Sequence, residues 1–163
     1  MILQSWLHHR YATFYVGLLA VAILASVVLF RQVPVTPFDG DETGWISSGA
    51  YYTNLLLARD LTWEKWQCQA CGPWGGLNMP LGKWLIGVPL KVYYETERGG
   101  AEFLRFYDFD RSLAQNRAEG RVPPTDVLQR ARLACATFGV LCCLLLFCLG
   151  YWWVNWATGL LAV

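Results

Sequence analysis

The run YATFYVGLLAVAILASVVLF, residues 11–30, holds twenty consecutive residues without a charge. As a helix at 1.5 Å per residue it extends about 30 Å, the thickness of a bilayer's hydrocarbon core. Signal-peptide apolar segments are shorter, about 7–15 residues, so the run reads as an uncleaved transmembrane helix despite the small triplet Ala20-Val21-Ala22. Arg31 closes it, and Pro34 and Pro37 forbid its continuation, because proline lacks the amide proton a helix needs and restrains the residue before it. Residues 1–10, ending in His8-His9-Arg10, read as a cytoplasmic lead.

A second uncharged run, LACATFGVLCCLLLFCLGY, occupies residues 133–151. Arg130 and Arg132 stand before it and Trp152, Trp153 and Trp156 after it, as interface anchors do. Residues 157–163 read as the start of a third apolar helix, truncated at Val163. Composition agrees: 55% of residues are hydrophobic and only 15% charged, against roughly 25% charged in soluble domains. A net charge of +1 supplies no basic face and excludes nucleic acid as a partner. The expected class is an all-α membrane protein. Two to three transmembrane helices carry a long extracytoplasmic loop, residues 31–132, with interfacial amphipathic helices. Arg10 orients the N-terminus toward the cytoplasm, and a bacterial inner membrane is the expected site.

Within that loop, Trp45, Ile46, Tyr52, Leu55, Leu56 and Leu57 recur at helical spacing between polar residues, which predicts an amphipathic surface helix over about 43–60. The run Trp84 to Leu90 is too short to span and contains Pro89. It predicts a second interfacial or re-entrant helix over about 81–94. Residues 95–125 mix both signs of charge, as a solvated face does.

Two groups carry candidate chemistry. The stretch Phe38-Asp39-Gly40-Asp41-Glu42-Thr43-Gly44-Trp45 concentrates three carboxylates just beyond the first span, where ionised groups are costly without a purpose. Asp39-Gly40 also has the composition of a turn, and Asp41-Glu42 that of a helix start. Cys68 and Cys71 form a C-x-x-C with three readings: a disulfide, a redox pair or half of a metal site. A zinc site needs about four ligands and no second pair is present. A redox motif comes with a βαβ pattern that is missing. A loop-stabilising disulfide is therefore expected.

The order of these features resembles the N-terminal part of a GT-C superfamily membrane glycosyltransferase, of the protein O-mannosyltransferase and aminoarabinose transferase-like kind. The matching pieces are Asp41-Glu42 after the first span, Pro80-Leu81-Gly82-Lys83, and Arg132-Leu133 opening the second. Asn78-Met79-Pro80 stands where the mannosyltransferase pattern has His-Pro-Pro and the aminoarabinose pattern Glu-Lys-Pro. The resemblance covers the first quarter to third of such an enzyme and implies transfer of a sugar from a polyprenyl-phosphate donor to an extracytoplasmic acceptor. It implies Asp41 as general base, with Glu42 orienting the acceptor or helping to bind a divalent cation. Lys83, Asn78 and Arg132 would contact the substrate, the cations meeting the lipid phosphate. On this reading, 163 residues alone are not expected to be active. Two rivals remain: a non-catalytic subunit of a larger membrane complex, with other membrane subunits as partners, and a membrane thiol oxidoreductase using Cys68 and Cys71.

Overall fold

The computed structural model describes residues 2–67 and 80–163, apart from the side chains of residues 2–10, 80 and 156. Among the described residues seven helices follow in order: α1 (Ile2–Gln32), α2 (Gly40–Leu57), α3 (Trp63–Gln67), α4 (Pro80–Glu97), α5 (Leu113–Ala118), α6 (Thr125–Trp153) and α7 (Trp156–Leu161). No strand occurs among the described residues. The chain divides into two compact units, one of residues 1–35 with 136–163 and the other of residues 36–135.

Two helices are long and apolar enough to cross a membrane, Tyr11–Gln32 and Thr125–Trp153. Only 11% of each apolar window is buried. A core helix of a soluble protein would hide far more, so these helices leave hydrocarbon-like surface facing outward, as membrane spans do. Both run beyond the uncharged stretches that announced them, because α1 includes residues of the lead and α6 begins at Thr125 rather than Leu133.

In the unit of residues 1–35 and 136–163, Val21, Phe147 and Tyr151 are buried against Phe14, Leu18 and Leu144. Small residues set the spacing: a Cβ on Gly17 would lie 2.6 Å from the Phe147 ring. The Thr13 and Tyr151 hydroxyls meet at 3.2 Å. This is the small-residue, hydroxyl-bonded packing expected between helices in lipid, where apolar burial alone drives no association.

The unit of residues 36–135 is built on α2 and α4. Ile46 of α2, Ile86, Leu90 and Tyr94 of α4, and Val127 and Ala131 of α6 form one buried cluster. Tyr52 and Leu55 form a second with Trp66, Trp84 and Phe106. The helix expected over 43–60 runs from Gly40 to Leu57 and differs in kind from an amphipathic surface helix: Thr43, Ser47, Ser48 and Thr53 are buried along with Ile46 and Tyr52. Its short polar side chains can be buried because most find partners. Ser48 Oγ donates to Gly44 O at 2.5 Å, Ser47 Oγ donates to Arg105 O at 2.5 Å, and Thr43 Oγ1 accepts from Tyr107 N at 3.0 Å. The chain from Glu102 to Tyr107 is thereby fastened along α2. Pro89 does not interrupt α4, which continues to Glu97. Proline there forgoes one helical hydrogen bond, on an exposed position flanked by the buried Ile86 and Leu90.

Glycine decides how closely α2 and α4 approach. A Cβ on Gly49 would lie 2.9 Å from the Lys83 carbonyl oxygen, and one on Gly87 would strike the Gly49 carbonyl and the Thr53 hydroxyl. Replacing Gly87 by alanine gains about 1 kcal/mol of helix propensity, but backbone has to move to admit the methyl group, costing about 1–3 kcal/mol or more. Gly87→Ala is therefore expected to lower the unfolding temperature in detergent micelles. Gly82→Ala, whose Cβ meets only the Trp45 ring at 3.2 Å, should be neutral or stabilising. Equal effects of the two substitutions would refute the close-approach account.

Candidate functional site

The first turn of α2 carries the three carboxylates, and each has a different fate. Asp39 is the N-cap: its Oδ1 accepts the Asp41 amide at 2.9 Å. Glu42, three residues on, closes a reciprocal capping box by accepting the Asp39 amide on Oε2 at 3.0 Å. The pair satisfies amide donors that a helix start otherwise leaves open. The spacing D-x-x-E is a readable sequence signal for this, and it marks Asp39 and Glu42 rather than Asp41.

Glu42 has a second partner. Arg132 Nε donates to Oε1 at 2.7 Å and Nη2 to Oε2 at 2.8 Å, the two-pronged geometry that makes arginine–carboxylate pairs strong. The same guanidinium donates from Nη1 to Thr36 O at 2.7 Å and from Nη2 to Pro37 O at 3.0 Å. Arg132 thus ties α6, two turns in from its start, to the chain leading into α2. Asp41 is exposed, and among the described residues its carboxylate makes no hydrogen bond or ion pair.

Lys83 stands apart from this group. It is 1% exposed, and its Nζ lies 4.4 Å from the centre of the Tyr52 ring. Asp41 and Tyr52 are eleven positions apart on α2, which puts them about 16 Å apart along the helix axis. The structure therefore pairs Arg132 with Glu42, next to Asp41 in the chain, and seats Lys83 over Tyr52, farther along α2. Burial pushes the Lys83 ammonium below its ordinary value, since desolvation disfavours the charged form. Asn78, Cys68 and Cys71 lie outside the described residues. The cysteines of α6, Cys135, Cys142, Cys143 and Cys148, are free thiols.

A divalent cation does not fit this donor set. Both Glu42 oxygens are engaged by Arg132 and the Asp39 amide, Asp39 is spent on the cap, and no group of three metal-ligating side chains occurs among the described residues. What the arrangement can do is hold one solvent-facing carboxylate, Asp41, on a rigid helix start within reach of an incoming proton donor. The aromatic rings of Phe38, Tyr107 and Phe109 pack together, with Tyr107 and Phe109 lying over Gly40, the residue before it. No sequence signal foretold them, because Phe38 and Phe109 are far apart in the chain. No known protein family, curated protein or solved structure matches this chain.

Two expectations follow. Arg132→Ala removes the hydrogen bonds to Glu42, Thr36 and Pro37 and leaves Glu42 half-buried without its cation, so unfolding stability should fall by about 2–3 kcal/mol. Arg132→Lys should restore less than half, because an ammonium cannot reproduce the fork. An alanine variant as stable as the parent would show the pair to be ornamental. For Lys83, the folded form binds its proton more weakly than the unfolded form, so stability should increase as pH rises toward 10. Tyr52 and Tyr94 are held above their ordinary value of 10.0, chiefly by burial, so above pH 10 they reverse the trend. Lys83→Met should flatten the rising limb and keep the fall in an unfolding series across pH 7–11, and a rising limb unchanged in that variant would exclude Lys83 as its source.

Proposed function

We propose that this chain is the acceptor-side N-terminal region of a polytopic GT-C glycosyltransferase, moving a sugar from a polyprenyl-phosphate donor to an extracytoplasmic acceptor with Asp41 as general base. The observation that carries the reading is the division of labour in the first turn of α2. Asp39 and Glu42 are consumed in capping and in the Arg132 pair, while Asp41 alone faces solvent with its carboxylate uncommitted. The resemblance of Asp41-Glu42, Pro80-Leu81-Gly82-Lys83 and Arg132-Leu133 to the family's pattern supports it further.

The chemistry asks little of this region beyond positioning. An acceptor hydroxyl is a weak nucleophile. As its oxygen bonds to the anomeric carbon, Asp41 takes the proton, and the bond from that carbon to the lipid phosphate oxygen breaks with its electron pair leaving on the phosphate. Glu42 and Arg132 are positioning residues in this scheme. They fix the first turn of α2, and with it the direction of the Asp41 side chain. Lys83, buried against Tyr52, supports the α2–α4 pair that carries the base. No step is routed through a cation. In this reading α1 and α6 cross a bacterial inner membrane, residues 31–132 lie on its extracytoplasmic side, and bilayer lipid and the polyprenyl donor are the partners.

A second reading has one observation in its favour: Glu42, Arg132 and Lys83 are all spent on holding the structure together, as in a non-catalytic subunit that keeps the shape of a transferase. Asp41→Asn separates the two. In full-length protein supplied with a polyprenyl-phosphate sugar, the transferase reading expects transfer to fall about 10²–10⁴-fold with unfolding temperature unchanged. Undiminished transfer would remove Asp41 as the base, and absence of transfer by the parent protein would favour the subunit reading.

A further inference from the structure

Gly40, the residue before Asp41, is covered by two aromatic rings. A Cβ there would lie 2.9 Å from Tyr107 Cδ1 and 3.0 Å from Phe109 Cε1, so both rings rest on bare backbone at the start of α2. Tyr107 and Phe109 meet edge to face with centroids 5.1 Å apart, and Phe38 packs on Tyr107 at 5.9 Å. Phe38 and Tyr107 are half-buried, whereas Phe109 is 61% exposed. The platform is held in place from below. Thr43 Oγ1 receives the Tyr107 amide at 3.0 Å. The buried Asn116 side chain both accepts from Asp108 N and donates to Asp108 O at 2.9 Å. A large apolar ring fixed over Gly40, one residue before an uncommitted carboxylate, is pre-organised for a ligand, because little freedom is left to lose on binding.

We propose that Phe109, backed by Tyr107 and Phe38, is the surface on which the acceptor lies, and that the acceptor is a pyranose sugar. This rests on Asp41 being the base. A hydroxyl delivered to Asp41 brings the rest of its molecule over the neighbouring surface, and that surface is the ring cluster. A pyranose matches both parts. Its flat C–H face carries slight positive charge and meets the negative face of an aromatic ring, while its rim of hydroxyls donates to a carboxylate. An extended peptide is a poorer match, because the backbone here is already used: Arg105 O accepts from Ser47, Phe106 O from Arg121, and Tyr107 N and Asp108 N donate to Thr43 and Asn116. An anionic acceptor is a poorer match as well. Asp39 and Asp41 repel it, and the guanidinium bound at this turn, that of Arg132 on α6, is committed to Glu42, Thr36 and Pro37.

The test uses full-length protein in nanodiscs and saturation-transfer NMR with three probes: methyl mannopyranoside, methyl glucopyranoside and a serine- and threonine-containing heptapeptide. The ring C–H protons of a pyranoside should be saturated by the parent protein. The signal should fall roughly five- to tenfold in Phe109→Ala and be retained in Phe109→Trp. Saturation of the peptide alone, or a Phe109→Ala signal equal to the parent's, would overturn the platform. Asp41→Asn keeps this failure distinct from failure of the transferase reading. It should still saturate the pyranoside through Phe109, so undiminished transfer in that variant counts against the base and not against the platform.

Discussion

Where α2 passes α4, the Gly49 carbonyl sits against Gly87 so closely that no β-carbon fits between them, and much of residues 36–135 follows from that approach. Two backbones in contact bring the side chains on either flank into reach of one another. Ile46 meets Ile86 and Leu90 on one side, and Tyr52 meets Trp84 on the other. The ammonium of Lys83 lies over the Tyr52 ring, where a cation is attracted by the ring's electron-rich face and still bears a desolvation cost. The short hydroxyl side chains of α2 suit the same constraint. Ser48 returns its hydrogen bond to its own helix, so it can be buried without needing room for a partner.

Charge at the start of α2 is arranged by the opposite logic, with strong partners and open space. Three carboxylates in four residues would repel one another if left alone. The N-cap and the Arg132 fork absorb two of them, and the positive end of the helix favours the third. The result is a single uncommitted acid on a stiff support, with aromatic rings beside it. Rigidity comes from the Asp39 cap and the Glu42–Arg132 pair, and among the three carboxylates Asp41 is the exposed one whose oxygens carry no bond within the described residues. The same separation of supporting and presented groups is what a site handling a weak nucleophile requires.

The elements of this fold were legible in the sequence to different degrees. The two apolar helices declared themselves by uncharged length, which is a one-dimensional property. The helix around residues 43–60 was found by periodicity and that around 81–94 by a short apolar run, with their ends displaced by a few residues. Asp39 and Glu42 extend α2 upstream through the capping box, and core contacts carry α4 through Pro89. The amphipathic character expected of α2 did not hold, because serine and threonine count as polar in a sequence pattern yet are buried here with local or long-range hydrogen bonds. Asp41 could be singled out only by eliminating its neighbours, and that required knowing what Asp39 and Glu42 touch.

By itself the sequence determined the helical class, two helices able to cross a membrane, and the placing of three carboxylates just past the first of them. Composition and run length suffice for these, since hydrocarbon thickness and proline chemistry act locally along the chain. Tertiary structure decided which carboxylate stays free, that Arg132 belongs to Glu42 ninety residues away, that Lys83 is buried against the Tyr52 ring, and that Phe109 stands over Gly40. Each of these depends on distances between residues remote in the chain. Those distances are set by how closely two glycines allow a pair of helices to pack and by where one guanidinium finds its acceptors, and neither is written in any short stretch of residues.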